Sequence, residues 1–188
     1  PFHPGPSNDM VVDAAGRAYI GNIGFDYYGG AAPAATDLIR VDPSGEIHTV
    51  AADVMVPNGM ALTPDGTGLV LAESFAHRLT GFAVDEHGDL HDRRAFADLG
   101  RRIPDGICLD PSGDVWVAAP GSGQVIRVTE GGNITAAIGC DGWQPVACAL
   151  GGPTLRTLYV CAATTLQPNE IAASRSGAIL AIDVDRLL

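Results

Sequence analysis

Apolar residues in this chain come in short runs, and Gly, Pro, Asp and Asn separate them. Runs rich in β-branched residues with such boundaries predict β-strands rather than helices. They fall into four groups. The first holds Met10–Asp13, Arg17–Ile23, Asp37–Asp42 and Glu46–Ala52. The second holds Met60–Thr63, Gly68–Glu73, His77–Val84 and Arg93–Leu99. The third holds Ile107–Asp110, Asp114–Ala118, Gln124–Thr129 and Asn133–Ile138, and the fourth only Cys148–Leu150, Thr157–Ala162 and Gly177–Val184. Some runs alternate, so that Val125, Arg127 and Thr129 face opposite to Gln124, Ile126 and Val128. The innermost runs are almost wholly apolar, which fits strands covered on both faces. No long helical pattern competes.

The groups repeat one another. Asn8-Asp9-Met10-Val11-Val12, Asn58-Gly59-Met60-Ala61-Leu62 and Asp105-Gly106-Ile107-Cys108-Leu109 each pass from an oxygen-bearing side chain into an apolar run. Each run is followed by a turn. Val146-Ala147-Cys148-Ala149-Leu150 is a fourth copy without the polar start. The spacings are 50, 47 and 41 residues (8 to 58, 58 to 105, 105 to 146). Four-stranded units at this period predict an all-β fold, a β-propeller of four-stranded antiparallel blades. A β-sandwich is the rival, but it gives no reason for the first-strand motif to return with the same turn. Residues 1–188 are expected to form one partial propeller domain with repeats starting near 8, 58, 105 and 146. The last blade lacks a fourth strand, and no run before Asn8 supplies it. An open arc or fragment is therefore expected, with two aggregation-prone edges.

Composition narrows the function. The 188 residues are 46% hydrophobic and 18% charged, enough apolar material for a real core and too little charge for a disordered chain. A formal net charge of −11 repels phosphate backbones and argues against nucleic-acid binding. No apolar run approaches the roughly 20 residues of a membrane helix, and no secretory signal is present, although the chain begins at Pro1 rather than Met. Cys108, Cys148 and Cys161 lie in apolar runs, and no CxxC pair occurs. Reduced core cysteines in a cytoplasmic protein are expected, with a Cys148–Cys161 bridge as a minor alternative.

Radial packing predicts a site. The first strand of each propeller blade lines the central channel, so Asn8, Asn58 and Asp105 would meet at one mouth. The loops after the second strands (24–36, 74–76, 119–123 and 163–176) would surround it. Phe25, Tyr27, Tyr28, Gln167, Asn169 and Glu170 are candidate pocket residues, and Glu73 would point to the same rim. Oxygen-only donors at Asn58 and Asp105 suit a hard cation such as calcium, magnesium or manganese. His3, His48, His77, His87 and His91 are scattered surface candidates, with His3 and His77 nearest the expected mouth. A plainer reading stays open: Asn-Gly and Asp-Gly are common hairpin turns. Against it, Pro57 and Pro104 precede the two pairs, and each unit has its own hairpin turn about five residues later.

With these residues in view, the chain resembles the SMP-30/gluconolactonase/LRE family of six-bladed propellers. The matching words are Asn8-Asp9 with Val12-Asp13-x-x-Gly16-Arg17, Pro57-Asn58-Gly59-Met60-Ala61 with Pro64-Asp65-Gly66, and Pro104-Asp105-Gly106-Ile107 with Gly113-Asp114-Val115-Trp116-Val117-Ala118. Cys148-Ala149-Leu150-Gly151-Gly152-Pro153 with Leu155-Arg156-Thr157-Leu158-Tyr159-Val160 completes the set. The resemblance implies an axial divalent cation ligated by Asn58 and Asp105, with Asn8 and Asn58 holding substrate or water. Calcium is the first expectation; zinc, manganese and magnesium are the alternatives. A further Glu ligand of the family, in a Glu-Gly-Pro motif, has no counterpart here, since Glu46, Glu73 and Glu86 lie in other contexts. Two blades of the six-bladed parent are then missing. An Arg that some members carry two residues before the first Asn is Pro6 here, so a sugar-acid lactone is not implied as the specific substrate.

The implied activity is metal-dependent hydrolysis of a lactone or ester, with Asp105 as the catalytic residue that orients or deprotonates water. Water activated by the ion is the alternative base. Gly121-Ser122-Gly123 lacks the frame of a serine nucleophile elbow. The rival functions are a non-catalytic scaffold or small-molecule binder, and a calcium-dependent phosphotriesterase. The expected partner is a small-molecule lactone or ester, with no nucleic acid or membrane; the sequence carries no signal for an oligomeric state.

Overall fold

Successive side chains on a strand point to opposite faces, and in the two middle sheets of this protein both faces find a neighbouring sheet. The computed structural model describes residues 5–185. Its strands form four antiparallel sheets, each connected in simple up-and-down order. The first sheet contains β1 (Ser7–Val12), β2 (Ala18–Asn22), β3 (Thr36–Val41) and β4 (Ile47–Val54). The second contains β5 (Pro57–Leu62), β6 (Gly68–Glu73), β7 (Arg78–Val84) and β8 (Leu90–Asp98). The third contains β9 (Ile107–Leu109), β10 (Val115–Ala119), β11 (Gln124–Val128) and β12 (Ile134–Gly139). The fourth contains β13 (Gln144–Gly151), β14 (Thr157–Ala163) and β15 (Gly177–Asp183). All fifteen correspond to runs read from the sequence. A short helix, α1 (Pro168–Ala173), lies between β14 and β15 and was not expected.

The sheets are arranged as blades of a β-propeller, and the sandwich alternative is excluded. The innermost strands stand side by side in the order β1, β5, β9, β13. Three apolar cores fill the spaces between blades. On β6, Leu69 and Leu71 pack with Tyr19 and Leu38 of the first sheet. Val70 and Ala72, on the other face of the same strand, pack with Val115 and Val117 of the third. On β10 the alternation continues, and Trp116 faces Leu158 and Val160 of the fourth sheet. The strands covered on both faces are thus the second of their sheets, β6 and β10, and not the innermost ones as expected from sequence. β1 is largely exposed and β9 and β13 only partly buried, because the innermost strands border the open axis. The outward faces of the first and fourth sheets have no such cover among the described residues: Met10 is 55% and Ile179 71% exposed.

Glycine permits the closest approach, at the axis. The Gly59 amide donates to the Asp105 carbonyl at 3.2 Å, and the Gly106 amide donates to the Val146 carbonyl at 2.9 Å. A Cβ on Gly59 would lie 2.6 Å from the Asp105 carbonyl oxygen; one on Gly106 would lie 2.7 Å from the Ala147 Cα. Neither glycine has a positive φ. The hairpin-turn reading of Asn58-Gly59 and Asp105-Gly106 therefore fails: the first pair lies inside β5, the second enters β9, and the missing side chain makes room for the adjacent blade.

The same segments are bulged. Register shifts fall between Asn8 and Met10, between Pro57 and Met60 and between Pro145 and Ala147. In the third sheet Ala118 accepts from the Asp105 amide and donates to the Gly106 carbonyl, so two residues flank one. A bulge bends the strand and re-aims the side chain at that position.

Glu73, expected at the rim, is instead fully buried. Its Oε2 accepts the Met55 amide at 2.9 Å, and its Oε1 accepts Arg78 Nε at 3.0 Å, Arg93 Nη2 at 3.3 Å and the Thr80 hydroxyl. Burial alone would raise its pKa, but Thr80, Met55 and Arg78 more than offset this and hold the carboxyl below its usual value of 4.5. It is a charged clamp joining the start of β5 to β7 and β8.

Two stability outcomes follow. Glu73→Ala leaves Arg78 and Arg93 without their carboxylate and should lower unfolding free energy by about 3–5 kcal/mol in a urea titration at pH 7. Because the folded pKa of Glu73 is depressed, its stabilisation is present above about pH 4.5 and is lost as pH falls through the folded value; the variant should lose less stability than the wild type below that pH. Gly59→Ala, whose new methyl meets backbone, should cost more than the roughly 1 kcal/mol of a typical substitution. An unchanged denaturation midpoint would remove the close-approach explanation.

Candidate active site

The three polar residues that begin the repeated motifs converge. Asn8, Asn58 and Asp105 line one pocket of about 300 Å³, together with Ser74, Phe75 and Tyr27. They come from three successive blades, and the bulges of the innermost strands lie at or beside them.

Each side chain has a local reason for its position. Asn8 Nδ2 lies 3.4 Å from the Pro57 carbonyl of the next blade. Asn58 is oriented by a relay. The Ser74 hydroxyl gives its one proton to the Pro104 carbonyl at 2.7 Å. It can then only accept from Asn58, so the group 3.1 Å away must be the Asn58 NH2. The amide flip is thereby settled, and Asn58 Oδ1 is left buried without a hydrogen-bond partner among the described residues. An orphaned buried acceptor costs about 1–3 kcal/mol, a cost that a donor or cation relieves.

Asp105 is half-buried, and none of the ion pairs among the described residues involves it. Burial is the main force on its carboxyl, with repulsion from Asp9 adding; the Asn58 side chain and the Gly106 amide pull back only in part. The result is a pKa pushed up to about 7 from an ordinary 3.8. Asp9 is exposed at the rim, so water screens its share.

An unpartnered amide oxygen and a carboxyl without an ion pair, on two residues lining one pocket, are donors of the kind a hard cation takes. No cluster of three His, Cys, Asp or Glu suited to a metal occurs among the described residues.

Other candidates divide. Tyr27 and Tyr28 do line the pocket. Phe25 is buried beneath them and packs on Phe75 with centroids 6.0 Å apart. Gln167 lines an adjoining cavity, but Asn169 and Glu170 line neither. His77 sits in left-handed conformation with Nδ1 3.0 Å from the Arg102 carbonyl; His48, His87 and His91 make surface pairs with acidic neighbours. His3 lies outside the described residues. A Cys148–Cys161 bridge is not formed: all four cysteines are free, Cys148 is buried and Cys161 exposed. The nearest sulfur to Cys148 is that of Cys108, at 3.9 Å. Ser74, Phe75, Ile103 and Leu166 were not singled out from sequence. The only available signal was position: Ser74 and Phe75 begin the loop after a second strand, and Ile103 lies two residues before the Asp105 motif.

Fold and pocket together define a β-propeller with an oxygen-lined axial site. Residues 4–164 match the family profile described as SMP-30/Gluconolactonase/LRE-like region. The chain belongs to that family. Among its relatives is a pentonolactonase of Haloferax volcanii, 30% identical over 186 residues, covering 94% of this chain and 62% of the relative. A 6-deoxy-6-sulfogluconolactonase of Pseudomonas putida is 33% identical over 158 residues, 81% of this chain and 52% of its own length. A solved structure described as a calcium-binding regucalcin of Agrobacterium tumefaciens superposes with a TM-score of 0.74 at 27% identity, over 94% of this chain and 60% of that one. This chain thus spans 52–62% of the length of these relatives. No helix among the described residues is long and apolar enough to cross a membrane.

The raised Asp105 pKa has a measurable sign. Between its ordinary 3.8 and about 7 the folded state holds a proton that the unfolded state releases. In cation-free buffer, stability should therefore fall as pH rises through that window and level off above it. The penalty is at most about 4 kcal/mol, less whatever water screens. Asp105→Asn should abolish this slope in urea titrations from pH 4 to 8; parallel curves for variant and wild type would show that the carboxyl is not perturbed.

Proposed function

We propose that this propeller is the catalytic domain, or a large part of it, of a divalent-cation-dependent hydrolase acting on a lactone or related ester. The observation that carries the reading is the convergence of Asn8, Asn58 and Asp105 from three blades on one pocket. The names of the lactonase relatives support the reaction class, and the calcium-binding regucalcin supports a cation.

Asn58 Oδ1 and the Asp105 carboxylate would hold the cation, calcium first. When bound, it supplies positive charge to stabilise the oxyanion that develops at an attacked carbonyl. The chain's own groups do the rest. Asp105 would orient the attacking water or take its proton, the bound charge keeping its carboxyl ionised for that role. The Ser74 relay holds the Asn58 amide in one orientation. Asn8, restrained by the Pro57 carbonyl, positions substrate or water oxygens at the rim. No covalent intermediate is needed, because water is the nucleophile.

Asp105→Ala should lower kcat/KM for lactone hydrolysis by about 10²-fold or more and weaken calcium binding by calorimetry, with the circular dichroism spectrum preserved. Wild-type turnover should depend on a cation across a calcium, manganese, magnesium and zinc series and should favour lactones over phosphotriesters. Full activity in the Asp105 variant would remove the site. Absence of both cation binding and turnover in the wild type would favour a non-catalytic propeller.

A further inference from the structure

The axial pocket does not end at its polar floor. It adjoins a second cavity of about 690 Å³, and Tyr27, Tyr28, Phe75, Ile103 and Leu166 line both. Beyond them the second cavity is walled chiefly by Pro120, Pro168 and Ile171, and no Asp, Glu, Arg or His lines it. The wall is a braced structure. Tyr27 packs edge-on against Phe75 at 6.2 Å and against Tyr28 at 5.4 Å. Buried Phe25 supports Tyr27 and Phe75 from below at 6.1 and 6.0 Å.

These large apolar groups nevertheless face solvent. Tyr28 is 74% exposed, and Tyr27, Ile103, Leu166 and Ile171 are also exposed. Exposed apolar groups gathered beside a polar pocket mark a ligand site rather than ordinary surface. A substrate rich in hydroxyls would have to give up water there, with Gln167 and the two phenols as the main polar side-chain partners. An alkyl chain would lose nothing and would cover the wall.

Resting on the hydrolase reading of the axial site, we infer that the preferred substrates are lactones or esters bearing an apolar chain. The carbonyl sits at Asn8, Asn58 and Asp105, and the chain lies along Tyr27, Phe75, Leu166 and Ile171. Specificity then grows with chain length, at about fourfold in affinity per methylene buried until the cavity is filled.

Binding and turnover are measured separately on the full polypeptide. The Asp105→Asn protein is titrated with γ-valerolactone, γ-octalactone, γ-decalactone and glucono-δ-lactone, followed by tyrosine fluorescence and saturation-transfer NMR. Affinity should climb through the alkyl series and exceed that for gluconolactone. The double variant Leu166→Ser, Ile171→Ser, altered only at exposed positions, should flatten the climb. A flat series, tighter binding of gluconolactone than of γ-decalactone, or an undiminished slope in the double variant would overturn the inference. A steep binding series with no hydrolysis of any lactone by the wild type would uphold the apolar subsite and remove the hydrolase reading instead.

Discussion

Everything in this protein turns on how closely consecutive innermost strands approach at the propeller axis. The Gly59 and Gly106 amides reach the carbonyls of Asp105 and Val146 in the next blade. At that separation there is no space for a side chain. The contact closes the blades around the axis and satisfies backbone groups that would otherwise be buried unpaired. It also sets the residue before each glycine, Asn58 or Asp105, against the pocket. One geometric constraint thus holds the blades together and assembles the site.

The site exploits the resulting crowding. In the interior, a polar group is either matched or costly. Two carboxylates show both outcomes. Glu73 is matched by two arginines, a hydroxyl and an amide, and its pKa is depressed despite complete burial. Asp105 joins no ion pair among the described residues, and burial lifts its pKa to about 7. Environment, not residue type, sets the two carboxyls apart. The unpartnered Asn58 Oδ1 belongs to the same pattern, because Ser74 fixes the amide in the orientation that leaves the oxygen without a donor.

Above this polar floor the loops reverse the chemistry. The aromatic residues after β2, the Ser74–Ala76 turn after β6 and the segment around α1 surround the same mouth with apolar surface. The blades position the polar floor, and the loops between strands supply the apolar surface around it.

Much was legible along the chain because the repeat writes the same physical demands several times over. Short apolar runs with turn residues between them marked all fifteen strands. The recurring passage from an oxygen-bearing side chain into an apolar run pointed to Asn8, Asn58 and Asp105 as neighbours. Nearly all-apolar runs foreshadowed strands covered on both faces, which the structure realises on β6 and β10. Other features depended on partners distant in sequence. Glu73 looked like a rim residue until Arg93, twenty positions on, closed over it. Gly59 and Gly106 looked like turn formers, since local sequence does not distinguish a glycine needed for its dihedral angle from one needed for its emptiness. Ser74 and Leu166 were legible only as members of loops expected at the mouth and Ile103 only by its nearness to Asp105, and their particular roles arise from what three-dimensional packing sets beside them. Strand formation is governed by near neighbours in sequence, whereas pocket chemistry depends on burial and on charges brought together from separate blades.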